Sequence, residues 1–380
     1  MNDRHDNRDE APLVALAAGG TGGHMFPAEA LASELKRRGR RVLLVTDARG
    51  ERYAEEFPAD EKFLISAGSP SVGGPVRKAI AAAAIAGGLI RSLQEFRRRG
   101  VAAAVGFGGY PSLPAMKAAA LLRLPYGVHE QNGVLGRSNR LLAKGAVFVA
   151  HAFPALAKAP ADLKAAIEVG NPVREGVAAF ADAPYKAPAA DDKIKLLVFG
   201  GSQGASVFSK NVPAAVAKLS DALRARVSVV QQARPADHEE VVEAYRRIGV
   251  TAQVAPFFKD LPERIADAHL VVARSGASTV TELSVIGRPS ILAPLPIAMD
   301  DHQAGNAQVL SDAGGAVMIR EGDAFEATLA RELDRVLSEG DRLAGMADAA
   351  RGRVKAGAAS ALADLVDEML GVENDRRRAA

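Results

Sequence analysis

The stretch Leu13-Val14-Ala15-Leu16-Ala17-Ala18-Gly19-Gly20-Thr21-Gly22-Gly23-His24 carries an apolar run into a glycine loop, and a helix-like segment, 27–36, follows it. A short apolar run ending in glycines reads as a buried strand, and the glycines let the backbone come close to a ligand. The N–H groups that open the next helix favour negative charge at that point. The same arrangement recurs near mid-chain, where Ile194-Lys195-Leu196-Leu197-Val198 runs into Phe199-Gly200-Gly201-Ser202-Gln203-Gly204-Ala205. Two strand-to-helix glycine turns imply two nucleotide-fold halves.

Outward from these loops, short apolar runs alternate with amphipathic helical ones. The runs are 13–17, 41–46, 102–105, 126–128 and 147–150, then 196–199, 226–230, 252–254, 270–273, 290–293 and 316–319. Near-continuous apolar strands separated by helices indicate parallel sheets covered on both faces. The fold class is therefore α/β, with two Rossmann-like, doubly wound parallel-sheet domains facing a cleft. A chain of 380 residues also exceeds the size at which one core stops growing. The Pro- and Ala-rich stretch 180–188 has no periodicity and marks the junction. The domains expected are 11–180 and 190–345, followed by a C-terminal helical segment at 346–372, with 1–10 and 373–380 as flexible tails.

Composition narrows the function. There is no Cys, which excludes disulfides and thiolate metal sites. A formal charge of +3, no Trp and five Tyr give no basic, aromatic-rich stripe, so nucleic acid is not expected as a partner. The first residues lack the order of a signal peptide, so export is not expected. The average charge hides one local bias: six basic residues between Arg77 and Arg99, among them Lys78, stand against Glu95 alone. Within this stretch residues 79–90 are uncharged, too few to span a bilayer. Ile85, Leu89, Leu93 and Phe96 follow at spacings of four, four and three and share one helix face. That face suits a core helix or an interfacial helix on an anionic membrane.

Several polar clusters stand at strand ends. His24 lies among glycines, where a histidine can serve as a general base near neutral pH. His129-Glu130-Gln131-Asn132 follows the strand at 126–128. Arg274-Ser275-Gly276-Ala277-Ser278-Thr279-Val280-Thr281-Glu282 enters a helix, with Thr279 and Glu282 at the spacing of a capping box; alternatively Glu282 accepts hydrogen bonds from ribose hydroxyls. Asp300-Asp301-His302-Gln303-Ala304-Gly305-Asn306 offers amide and imidazole groups that suit sugar hydroxyls better than a metal. No second His or carboxylate stands at ligand spacing from it, so no metal is expected. A P-loop and a Gly-x-Ser-x-Gly elbow are absent, and the first glycine loop misses the Gly-x-Gly-x-x-Gly register, although Asp47 at the end of the second strand keeps a dinucleotide reading open.

Taken together, these loops resemble those of the MurG family, GT-B glycosyltransferases that add N-acetylglucosamine to undecaprenyl-pyrophosphoryl-MurNAc-pentapeptide. The resemblance runs from Leu13 to about Leu370. Besides the two glycine loops it rests on Gly106-Phe107-Gly108-Gly109-Tyr110-Pro111-Ser112, His129-Glu130-Gln131-Asn132, Gly170-Asn171-Pro172-Val173-Arg174, the 274–282 stretch, and Asp301-His302-Gln303 with Asn306. It implies UDP-N-acetylglucosamine as donor in the second domain, with Ser202 and Arg174 at the phosphates, Phe258 at the uracil, Ala277, Ser278 and Thr279 at the donor, Glu282 at the ribose, and Gln303 with Asn132 at the sugar. Thr21, Gly22 and Gly23 would line the meeting point of sugar and acceptor pyrophosphate, and Tyr110 would lie on the acceptor side.

The resemblance further implies that the first domain takes the lipid-linked acceptor and that Arg77, Lys78 and the Ile85–Phe96 face dock on the anionic cytoplasmic face of the inner membrane. It leaves room for other cell-wall synthesis proteins as partners, and the helix around 362–370 would cross the domain junction. Inversion in a single displacement follows, without cofactor, with His24 as first candidate for the base and Glu130 as second. The step would be the last cytoplasmic one in peptidoglycan precursor synthesis. The chain departs from the family at His302, where many members carry glutamine, and at Ser209, where some carry asparagine. A UDP-N-acetylglucosamine epimerase, a transferase with a soluble acceptor, a UDP-sugar sensor and an oxidoreductase are the competing readings.

Overall fold

Seven parallel strands form the first sheet: β1 (Leu13–Ala17), β2 (Arg41–Thr46), β3 (Glu61–Leu64), β4 (Val101–Gly106), β5 (Tyr126–Glu130), β6 (Val149–His151) and β7 (Ala166–Glu168), in the order β3-β2-β1-β4-β5-β6-β7. Six more form the second: β8 (Ile194–Phe199), β9 (Val227–Gln232), β10 (Thr251–Ala255), β11 (Leu270–Ala273), β12 (Ser290–Leu292) and β13 (Ala316–Met318), in the order β10-β9-β8-β11-β12-β13. The computed structural model describes residues 11–66, 74–163, 165–201 and 204–379. The expected tail 1–10 and Ser202 lie outside the described residues.

Strand order reverses between β1 and β4 in one sheet and between β8 and β11 in the other. Ligands of open α/β sheets bind outside the carboxyl ends of the strands at such switch points. The loops leaving β1, β4, β8 and β11 are the glycine loops 19–23, 106–112 and 199–205 and the Arg274–Gly276 turn, so topology gathers the motifs of each domain at one edge. The helix after β1, Gly22–Arg37, begins five residues earlier than the 27–36 segment read from sequence and buries Met25, Ala28, Leu31, Ala32 and Leu35 against the sheet. Edge strands β3 and β7 were not read from sequence. Glu61-Lys62-Phe63-Leu64 and Ala166-Ile167-Glu168 carry charges, as sheet edges commonly do.

The C-terminal segment expected at 346–372 is two elements. The helix Gly340–Ala350 packs Leu343 and Met346 into the second domain; the helix Ala358–Ala379 then returns to the first and continues past residue 372. Leu362, Ala363, Val366, Met369 and Leu370 lie on one face and join Val14, Leu16, Leu31, Leu35, Val42 and Leu44 in a single apolar cluster. Arg38 pairs with Asp364 at 2.6 Å and Asp367 at 3.0 Å beside this seam, and Arg40 pairs with Asp367 at 2.9 Å. In the other direction, Ala152, Phe153 and Val177 from the first half of the chain share a cluster with Val280, Leu283 and Ile286 of the second.

The basic-flanked helix, Pro75–Arg99, corrects the expected docking face. Leu89, Leu93 and Phe96 pack into the first domain's core, Ile85 is half-buried, and the Phe96 ring meets Phe63 edge-on at 6.3 Å. Phe96 is 1% exposed, whereas Val76, Ile80 and Ile90 are 71%, 63% and 57% exposed. Periodicity finds an apolar face but does not say which way it turns, and here the sheet and the neighbouring helix Ser112–Leu121 take it.

Replacing Leu362 with alanine removes a fully buried side chain from the first domain's core, most of whose other members lie far away in sequence. The expected loss is about 2–5 kcal/mol, read as a lowered midpoint in urea unfolding. An unchanged midpoint would mean that the helix does not complete this core.

Candidate active site

On the first domain's side, two glycine loops interlock. A Cβ at Gly19 would lie 2.6 Å from the Pro111 ring, and one at Gly109 (φ +76°) would lie 2.9 Å from the Gly19 carbonyl oxygen. The Asp47 carboxylate secures the first loop: its Oδ1 accepts from the N–H of Gly20 at 3.2 Å and of Gly50 at 3.0 Å, while Arg49 pairs with its other oxygen. Asp47 is thus used internally, which answers the dinucleotide reading. Thr21 stands as the N-cap of the Gly22–Arg37 helix without a side-chain cap, so Gly22, Gly23 and His24 form its first turn at the cleft.

The turn after β5 meets this loop. His24 Nδ1 lies 3.1 Å from Gln131 Oε1, Gln131 Nε2 lies 3.2 Å from His129 Nδ1, and His129 Nε2 lies 2.9 Å from the Gly170 carbonyl oxygen. Glu130 is buried, and its carboxylate takes four hydrogen bonds. Oε1 accepts from the Asn132 N–H at 3.1 Å and Asn132 Nδ2 at 3.0 Å; Oε2 accepts from the Gly136 N–H at 2.9 Å and Asn139 Nδ2 at 2.8 Å. Four bonds fill a carboxylate's usual acceptor capacity. Tyr110 is half-buried on the loop after β4, and Arg77 and Lys78 are exposed on the Pro75–Arg99 helix.

Across the cleft, the helix Ala277–Ile286 begins at Gly276 with no side-chain cap. Thr279 and Glu282 are therefore helix interior, and the capping-box alternative does not apply. Ser278 Oγ is buried with no hydrogen-bond partner among the described residues. Glu282 is buried on the same helix; burial pushes its carboxyl up to about 7 while the charge of Arg174 pulls it down. The Arg174 guanidinium sits 3.9 Å above the Phe26 ring, so a residue from the interdomain segment is packed against the first domain's helix. Gln232 at the end of β9 holds the second glycine loop, accepting from the Gly200 N–H at 3.0 Å and donating to the Gly201 carbonyl at 3.1 Å. Phe258, beyond β10, is buried under the Arg264 guanidinium at 4.4 Å. Gln303 Oε1 accepts from the Leu295 N–H at 3.0 Å, and its carbonyl accepts from Ser275 Oγ at 2.8 Å.

The two sides touch directly. Asn306 Nδ2 donates to Asn132 Oδ1 at 3.1 Å, and Asn306 Oδ1 accepts from the Gly133 N–H at 3.0 Å. Asp300, at φ +57°, pairs with Arg140 at 2.7 Å and Lys158 at 2.6 Å. Arg140 and Lys158 carry no motif signal in the sequence. Asn306 stood in a quoted motif, but its partners become visible only in three dimensions.

Two parallel α/β domains whose switch-point loops meet across a cleft are the GT-B architecture. Residues 14–150 match the glycosyltransferase family 28 N-terminal domain and residues 195–368 the family's C-terminal domain. The chain is 50% identical over 359 residues, covering 94% of it and 96% of the relative, to a Methylobacterium sp. (strain 4-46) UDP-N-acetylglucosamine–N-acetylmuramyl-(pentapeptide) pyrophosphoryl-undecaprenol N-acetylglucosamine transferase. The protein of the same description from Caulobacter vibrioides (strain NA1000 / CB15N) is 48% identical over 94% of this chain and 98% of its own. Among solved structures, that of Acinetobacter baumannii MurG superposes with a TM-score of 0.75 at 28% identity, covering 94% of this chain and 99% of that one. A putative UDP-N-acetylglucosamine 2-epimerase from Listeria monocytogenes shares the fold at a TM-score of 0.64 and 15% identity, over 94% of this chain and 96% of its own. The chain belongs to glycosyltransferase family 28, within the group named for transfer of N-acetylglucosamine to the muramyl-pentapeptide pyrophosphoryl-undecaprenol.

Replacing Glu130 with alanine leaves four donors short of an acceptor. The expected cost is about 3 kcal/mol of stability, read by chemical denaturation. A Glu130→Ala protein of unchanged stability would contradict the structural account of this carboxylate.

Proposed function

We propose that this chain transfers N-acetylglucosamine from UDP-N-acetylglucosamine to the 4-hydroxyl of MurNAc in undecaprenyl-pyrophosphoryl-MurNAc-pentapeptide, with inversion. The observation that carries this reading is 50% identity over 94% of the chain to a transferase of that description. The acceptor oxygen attacks the anomeric carbon as the bond to UDP breaks, and its proton passes to His24. Glu130 is the weaker candidate for base because its lone pairs are already engaged by its own loop. Charge developing on the departing pyrophosphate is stabilised by the helix start at Ser206, with Ser202 on the loop before it, and by Arg174. Ala277, Ser278 and Thr279 open a second helix toward the donor, Glu282 accepts the ribose hydroxyls, Phe258 flanks the uracil, and Gln303 with Asn132 reads the sugar. Thr21, Gly22, Gly23 and Tyr110 face the acceptor.

The acceptor is lipid-linked, and no helix among the described residues is long and apolar enough to cross a membrane. We place the enzyme peripherally on the anionic cytoplasmic surface. The attachment row is Val76, Ile80 and Ile90, flanked by Arg77, Lys78 and Arg91, all of them exposed. Each basic residue near such a surface contributes about 1 kcal/mol. Other cell-wall synthesis proteins would meet the enzyme there.

Transfer of labelled sugar from UDP-N-acetylglucosamine to a lipid-linked MurNAc-pentapeptide tests the assignment. Product is expected, and Ile80→Asp with Ile90→Asp should slow transfer to acceptor held in anionic vesicles but not to a short-chain acceptor in solution. Donor binding without product would overturn the acceptor assignment.

Glu282 gives the donor site a pH signature. With its carboxyl near 7 in the empty site, binding that uses the carboxylate must expel a proton at lower pH, so affinity falls as pH drops. The Kd for UDP-N-acetylglucosamine should weaken about tenfold from pH 8 to pH 6, and Glu282→Gln should bind weakly and without this slope. A flat wild-type profile would remove the carboxylate from nucleotide recognition.

A further inference from the structure

The hydrogen bonds behind His24 form a chain in which every atom has one possible role, and the chain begins at a group that can only accept. Gly170 is wedged so that a Cβ there would lie 2.5 Å from the Lys355 carbonyl oxygen, which fixes its peptide beside the second crossing between the domains. Its own carbonyl receives His129 Nε2 at 2.9 Å, so that nitrogen bears the hydrogen. His129 is fully buried, and burial pushes its pKa down to about 4, so the ring is neutral and Nδ1 is a bare lone pair. The atom facing that lone pair at 3.2 Å must be the amide nitrogen of Gln131. The same nitrogen lies 3.3 Å from the His129 backbone carbonyl, a second group that can only accept. The amide is therefore oriented twice over, and its oxygen is the end that meets His24 Nδ1 at 3.1 Å. An amide oxygen accepts, so His24 Nδ1 carries the hydrogen.

We propose that His129 and Gln131 are positioning residues that set the tautomer of His24, keeping its Nδ1 protonated and presenting Nε2 as the lone pair that takes the acceptor hydroxyl's proton. The catalytic half of this statement rests on the reading of His24 as the base. The hydrogen bond made by one ring nitrogen decides the state of the other, and a histidine free in water favours the opposite, Nε2–H form. The unsubstituted Gly108 and Gly109 lie along the ring: a Cβ at Gly108 would be 3.4 Å from His24 Cε1, and one at Gly109 3.4 Å from Cδ2. Gln131 thus supplies orientation through a neutral amide. A base held in the wrong tautomer offers a hydrogen where the reaction needs a lone pair.

The test is long-range proton–nitrogen NMR on full-length protein labelled with nitrogen-15 in its histidine rings, with the His24 signals assigned by their loss in His24→Gln. In the wild type, His24 is expected with Nδ1 protonated and Nε2 bare, and His129 with the reverse. In Gln131→Leu, His24 should revert to the Nε2–H form and kcat should fall about tenfold or more, with KM for UDP-N-acetylglucosamine within about twofold of wild type. A wild-type His24 in the Nε2–H form overturns the proposal without any variant being needed. So does a Gln131→Leu enzyme that keeps both tautomer and kcat, or one that loses only donor affinity. If His24→Ala leaves turnover unaffected, the base reading fails and the catalytic half of the proposal with it, whereas the tautomer itself is read independently of activity.

Discussion

The cleft is organised by one buried carboxylate. Glu130 ends a central strand, and a charge in that position is costly unless its oxygens are fully engaged. Four donors from residues 132 to 139 meet that demand and in doing so fold the turn around it. Gln131 is thereby presented to His24 on one side, and Asn132 to Asn306 of the other domain on the other. The charge therefore acts on the cleft by holding its neighbours, and the groups it holds face both halves of the molecule.

Parallel sheets make such an arrangement economical. All strands of a sheet release their loops at the same edge, and the switch point spreads two of them apart to leave a crevice. With two sheets, two crevices face each other, and polar contacts among the described residues join them: the Asn132–Asn306 pair, the Gly133 amide and the Asp300 ion pairs. Polar contacts of this kind suit domains that separate and rejoin, whereas the buried apolar seams lie elsewhere, under the C-terminal helix and around Phe153 and Val177.

Much of this was legible in the sequence because continuous apolar runs and glycine turns are imposed locally. Leu13–Ala17, Arg41–Thr46 and Leu270–Ala273 stand out because both faces of those strands are covered. Glu61–Leu64 did not, since an edge strand needs only half its residues apolar. The direction of the Leu89–Phe96 face was not legible either: spacing defines a stripe, and only the packed structure says whether a sheet or a solvent boundary lies beneath it. At the cleft, most of the residues that meet stood in motifs, Arg140 and Lys158 being exceptions, but their division of labour was hidden. Glu130 and Glu282 are the same side chain in similar settings. Glu130 is saturated by donors two to nine residues along its own turn, whereas burial of Glu282 is offset by the charge of Arg174, more than a hundred residues away in sequence.

The return of the chain to its starting domain has a consequence for how the protein is made. Val14 and Leu16 are synthesised well before the second domain, yet the cluster that surrounds them is closed by Leu362, Val366, Met369 and Leu370. Domains generally form as units while the chain is still emerging, but here the earlier one must wait, with an apolar flank uncovered, through the synthesis of the whole second domain. The half of the molecule that begins first is finished last, and its exposed seam during that interval is a natural site for chaperone attention.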